Sequence, residues 1–142
     1  MSAGIHHAAS EVIDRSAATV FAYVSDAINI GKWALGMWAT TDAGDGLVTG
    51  ASLFDGSRSY ARTDCDGDRL IIDFHLGADR ENLTPRITAK IVPGPHVGLN
   101  DDQCVFTLLA WRVAGMDDLR WRKLTASHEL EVILLKSMLE QQ

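Results

Sequence analysis

With 142 residues, the chain makes one ordinary domain (1–142), long enough to bury a core without disulfide or metal staples. Hydrophobic residues make up 46% and charged residues 23%, a composition that excludes disorder. The net charge is −6 and the 13 basic residues are scattered, which excludes the clustered Lys and Arg that nucleic-acid phosphates require.

Residues 5–14 read as a first strand. Ser16 then offers an N-cap, and Val20, Phe21 and Val24 follow at helical spacing, which gives a short helix over 17–25. Asp26 caps a second short helix that Gly31 ends. Residues 35–41 and 47–54 read as strands around the turn cluster 42–46. Asp55-Gly56 and Asp66-Gly67 are hairpin signals on either side of a strand at 58–64. Residues 69–76 alternate most clearly, with Leu70, Ile72, Phe74 and Leu76 on the buried face and Ile71, Asp73 and His75 on the wet one. Residues 86–92 place Ile87, Ala89 and Ile91 inward, until Pro93-Gly94-Pro95 stops the strand. A long apolar strand covers 103–113.

From Asp117 onward there is neither Gly nor Pro, and Asp117 and Asp118 suit a helix start, where negative charge meets the positive dipole end. Trp121, Leu124, His128, Val132, Leu135 and Leu139 fall on one stripe, with Glu129, Glu131 and Lys136 off it. The expected architecture is α+β: a curved antiparallel sheet of about seven strands around a long C-terminal helix, with two short helices after the first strand.

That layout resembles the helix-grip fold of the START/polyketide-cyclase-like (SRPBCC) superfamily. The stretch from Ile13 to Phe21 is similar to the family's strand end, small-residue link and Val-aromatic helix. Asp26, Asn29 and Trp33 are similar to its "D…n…W" stretch, and the segment from Gly46 to Ala51 to its Gly-rich second hairpin. The family often has Pro where this chain has Ser16 or Ala17, and the 93–102 connection is long for a hairpin. The resemblance implies one of three roles: a carrier of a small apolar or aromatic ligand, a cyclase or dehydratase acting on a poly-carbonyl chain, or a co-chaperone-like interaction domain. Fold alone does not choose among them.

His128, amid the apolar stripe, is the candidate polar group of an internal pocket and the candidate catalytic acid or base. The pocket walls are Ile72 and Phe74, with Leu70 and Leu76 beside them, facing Leu124, Val132 and Leu135. Trp33 and Trp38 flank the region that the resemblance makes the pocket mouth. Tyr60 and Arg62 share a strand face; concave, it lets them orient a carbonyl or carboxylate, and convex, it leaves them in solvent. Asp73 and His75 read as solvent-facing. Arg120, Arg122 and Lys123, offset by Asp117 and Asp118, read as a solvated helix end. No metal and no cofactor are expected: His6 and His7 point to opposite sides of a strand, and Asp64, Asp66 and Asp68 lack the rest of a calcium loop. There is no phosphate loop and no Gly-x-Ser-x-Gly elbow.

The two cysteines, Cys65 and Cys104, read as reduced thiols on strands, and no secretion signal or membrane span is visible, so the expected location is cytoplasmic. The Asn82-Leu83-Thr84 sequon then carries no glycan. Leu130, Ile133 and Leu134 lie outside the main helix stripe, toward the sheet edge or a partner subunit, which suggests a homodimer.

Overall fold

The structure is a computed structural model that describes residues 4–142. Seven strands form one antiparallel sheet: β1 (His6–Ile13), β2 (Trp38–Gly44), β3 (Leu47–Ala51), β4 (Arg58–Asp66), β5 (Ile71–Gly77), β6 (Thr84–Pro93) and β7 (Cys104–Trp111). The spatial order is β1-β7-β6-β5-β4-β3-β2, so β2 to β7 run as a meander and β1 closes on the last strand. Helix α1 (Ala17–Ser25) and a 3₁₀ helix (Ala27–Lys32) carry the chain from one sheet edge to the other. Helix α2 (Asp118–Glu140) lies on the concave face against β1 and β7.

Local chemistry sets most boundaries. Ser16 caps α1 by accepting from the Thr19 amide at 3.2 Å, Asp26 accepts from the Ile28 amide, and Asp117 accepts from the Arg120 amide at 2.7 Å. The β2–β3 turn is Asp45-Gly46, both at positive φ (56° and 77°), the backbone a two-residue type I′ hairpin requires. Gly31 is needed for a different reason. Its amide donates to Thr40 Oγ1 at 3.0 Å, and a Cβ there would stand 2.1 Å from the Thr40 nitrogen.

Several strand boundaries differ from the sequence reading by a few residues, and three have a visible cause. Residues 35–37 form a turn and not the start of β2, because the Leu35 amide is drawn to a helix carboxylate and the Met37 amide bonds back to Ala34. β3 stops at Ala51. Ser52–Ser57 becomes a closed loop, with the Ser52 amide donating to the Ser57 carbonyl and the Gly56 amide to the Ser52 carbonyl. β5 begins at Ile71, since Leu70 takes a left-handed φ of 55° at the end of the preceding turn.

Burial follows the alternation. On β7, Cys104, Phe106, Leu108 and Ala110 are buried, and on β5 so are Ile72 and Phe74. Asp73 and His75 lie on the other face, where Asp73 accepts from Thr88 Oγ1 at 2.6 Å. Cys65 is exposed on β4 and Cys104 buried on β7, with β5 and β6 between them, so both remain free thiols. The far end of α2 is fastened to the β1–α1 junction. Lys136 Nζ donates to the Val12 carbonyl and to Glu140 Oε2, the Asp14 amide donates to Glu140 Oε2, and Arg15 Nη2 donates to the Glu140 and Gln142 carbonyls.

Candidate functional site

Between the first half of α2 and the sheet lies a cavity of about 820 Å³. Its inner walls are Ile30, Trp33, Met37, Phe74, Ile87 and Leu108, with Leu124 on the helix side. Trp33 meets Phe74 edge-on, with ring centroids 6.0 Å apart and planes at 70°. The rim is formed by the Ser52–Ser57 loop and the exposed start of α2. Lys123 Nζ reaches across it to 5.6 Å from the centre of the Phe54 ring.

Polar groups stand among the apolar ones. His128 is 5% exposed and Glu131 4%, one helical turn apart on α2, with His128 Nε2 3.8 Å from Glu131 Oε1. Glu131 Oε2 accepts the Leu35 amide at 2.8 Å, which ties the helix to the turn after Trp33. Burial lifts the Glu131 carboxyl to about 7, opposed only by that amide bond. Burial also lowers His128 to about 4, and His7 and Arg86 push it the same way. At neutral pH His128 is therefore an uncharged imidazole, and Glu131 sits near its titration midpoint. Three polar atoms lining or bordering this space are buried with no hydrogen-bond partner among the described residues: Trp33 Nε1, Arg86 Nη1 and His128 Nδ1. No three His, Cys, Asp or Glu side chains converge as metal ligands among the described residues.

Of the residues singled out from the sequence, Trp33, Phe74, Leu124 and His128 come together around the cavity, with Leu76 beside them. Ile72, Val132 and Leu135 are sealed in the core beyond it, each at most 2% exposed. Trp38 is half-buried on β2 and does not reach the lining. Tyr60 and Arg62 share the convex face of β4. Ala61, fully buried between them, marks the concave one, so Arg62 reaches His75 at 3.5 Å and Tyr60 packs under Arg80. The inner face of β4 carries small residues because the end of α1 crosses it, where Thr63 Oγ1 donates to the Ser25 carbonyl at 2.8 Å.

Glu131 and Arg86 are the polar residues that periodicity does not flag. Glu131 falls off the apolar stripe, yet the turn at residues 35–37 covers it. Arg86 belongs by alternation to the wet face of β6. A bulge changes that: Phe74 pairs with Ile87 but His75 pairs with Pro85, leaving Arg86 as the extra residue, and it lines the cavity beside Ile87. Arg120 and Lys123, expected as a solvated helix end, stand at the cavity rim. The one sequence signal for this region is the cluster of cations at the helix start.

Solved structures share this architecture. A START superfamily protein from Mycobacterium smegmatis superposes with a TM-score of 0.69 at 14% identity, over 97% of this chain and 99% of that one. The di-domain ARO/CYC BexL from the BE-7585A biosynthetic pathway matches at 0.70 and 19% identity, over 95% of this chain and 46% of that one. The Aha1 dimer from Colwellia psychrerythraea gives 0.65 at 13% identity, over 96% and 97%. No sequence-family model and no curated protein sequence matches the chain. At these identities the likeness establishes the fold, which is the helix-grip fold of the START/polyketide-cyclase-like proteins.

Proposed function

We propose that the chain binds a small hydrophobic or aromatic molecule in the cavity under α2. The observation that carries this reading is a space of about 820 Å³ with aromatic and aliphatic walls and three buried polar atoms with no hydrogen-bond partner among the described residues. A ligand that fills it covers the Trp33–Phe74 pair and meets those atoms. Native mass spectrometry of the purified protein tests the proposal. A non-covalent adduct of a few hundred daltons, lost on denaturation and absent when Trp33→Ala and Leu124→Arg are combined, is the expected result. The reading is overturned if a panel of aromatic and aliphatic compounds leaves no adduct and no shift in Tm.

A second reading, an acid–base enzyme similar to polyketide cyclases and dehydratases, is favoured by one observation. Glu131 is a buried carboxyl with a pKa of about 7, beside a neutral imidazole and facing an apolar space. The helper role the sequence suggested for Tyr60 or Arg62 passes to Glu131, because those two side chains stand on the convex face. If the cavity does chemistry, Glu131→Gln abolishes turnover of a poly-carbonyl substrate while retaining binding.

The homodimer expected from the sequence is supported by Leu130 and Ile133, each about half exposed on α2, whereas Leu134 packs on the core. Sedimentation of a Leu130→Glu/Ile133→Glu variant tests it. No helix among the described residues is long and apolar enough to cross a membrane, and two free thiols support a reducing location such as the cytoplasm.

A further inference from the structure

Among the described residues, Arg86 has no ion-pair partner, although the chain holds 19 acidic residues. Burial disfavours its charge and the Arg120 guanidinium disfavours it further, yet a guanidinium does not give up its proton near neutral pH. The carboxylates around the cavity are committed elsewhere. Asp117 accepts the Arg120 amide as a helix cap, Asp55 accepts the Ser57 amide within its loop, and Glu131 accepts the Leu35 amide. Arg58, Arg120 and Lys123 line the same space, so an excess of cations surrounds an apolar cavity in a chain of net charge −6.

We infer that the molecule bound in this cavity carries an anionic oxygen group, a carboxylate, sulfonate or ionised phenol, held by the bulge residue Arg86 with Arg120 on the opposite wall. This rests on the ligand-binding reading above and adds the chemical class of ligand to it. The apolar part of such a molecule lies against Trp33 and Phe74, while its anion supplies the acceptor that Arg86 Nη1 lacks among the described residues. A buried cation without a partner destabilises the fold, and an anionic ligand removes that penalty on binding, whereas a neutral ligand of the same shape leaves it in place. Discrimination therefore comes chiefly from the sheet bulge, with Arg120 of the helix as the second cation.

Two fluorescent probes of one aromatic frame test this: N-phenyl-1-naphthylamine, which is neutral, and 1-anilinonaphthalene-8-sulfonate, which is anionic. The wild-type protein is expected to bind the sulfonate at least about tenfold more tightly, as a charge-assisted hydrogen bond allows. Arg86→Met keeps an apolar stem; it is expected to abolish that preference, hold the neutral probe within about twofold, and raise Tm, since an uncompensated cation is gone. Arg122→Met, an exposed cation outside the cavity, is expected to change neither probe. Equal binding of the two probes by the wild-type protein, or a preference that survives Arg86→Met, overturns the anion inference and leaves the cavity reading standing. Failure of both probes to bind the wild-type protein overturns both. Should Arg86→Met not fold, Arg86→Gln with the same probes decides the matter.

Discussion

The two halves of α2 are built from one amphipathic pattern and do opposite things. In the second half Val132, Leu135 and Leu139 are sealed in the same apolar core as Ile13, Val20 and Val24, and Lys136 and Glu140 fasten the helix to the end of β1. In the first half the same stripe passes Leu124 and His128, and the sheet opposite stands back far enough to leave the cavity. Trp121 anchors the very start in its own small cluster with Ala110 and Met116. The helix is thus packed into apolar clusters at both ends and, in between, held by polar contacts, Glu131 to the Leu35 amide and Glu129 to His7. A single element supplies rigidity where it meets the core and a cavity wall where it does not.

Truncation gives the largest expected contrast. Leu135→Ala removes a fully buried side chain from the close-packed half and should lower unfolding free energy by about 4 kcal/mol in urea titrations. Leu124→Ala, on a half-buried wall that already borders open space, should cost about 1 kcal/mol while changing probe affinity. Equal losses at the two positions would erase the distinction between the halves.

The pH dependence sharpens it further. Glu131 is raised from 4.5 to about 7, so between those values the folded chain holds a proton that the unfolded chain has released, and stability falls as pH rises. His128 is lowered from 6.5 to about 4, so between those values the unfolded chain holds the extra proton and stability rises with pH. In the wild-type protein the two slopes oppose one another where the windows overlap. Glu131→Gln removes one of them, and stability should then climb by roughly 3 kcal/mol from pH 4 to 6.5. A flat urea-unfolding profile for that variant would show that burial does not govern His128.

Smaller effects are expected at the fastenings. Lys136→Met should cost under about 1 kcal/mol, since the bonds it makes lie near the surface. Phe54→Ala should leave Tm within about 1 °C and accelerate probe release in stopped-flow, because its exposed ring meets Lys123 over the rim.

The fold was legible because its signals are periodic. The alternation on β5 and β7, the stripe on α2 and the caps at Ser16, Asp26 and Asp117 each announce themselves within a few residues. The site was legible only where it reuses that periodicity, as at Phe74, Leu124 and His128. Arg86 turns inward through a bulge that exists only when β5 and β6 pair, and Glu131 is buried by a turn almost a hundred residues earlier in the chain. The face of Tyr60 and Arg62 was undecided because the inner side of β4 is made of small residues, not apolar ones. Ala61 and Thr63 make room for the α1 crossing and Ser59 lines the cavity, and a run of small residues on one strand face is the signal to look for.

The closure of β1 on β7 has a consequence for how the molecule is made. Its register is fixed by pairs such as Ser10 with Thr107, which are 97 residues apart. Until β7 has left the ribosome, the opening strand has nowhere to pair, while the meander from β2 onward assembles through neighbouring hairpins. β1 therefore waits for β7, and α2, whose seat is chiefly β1 and partly β7, has its full surface only once those two strands are paired. The helix wall of the cavity thus comes last in the sequence, after every strand that lines the opposite side.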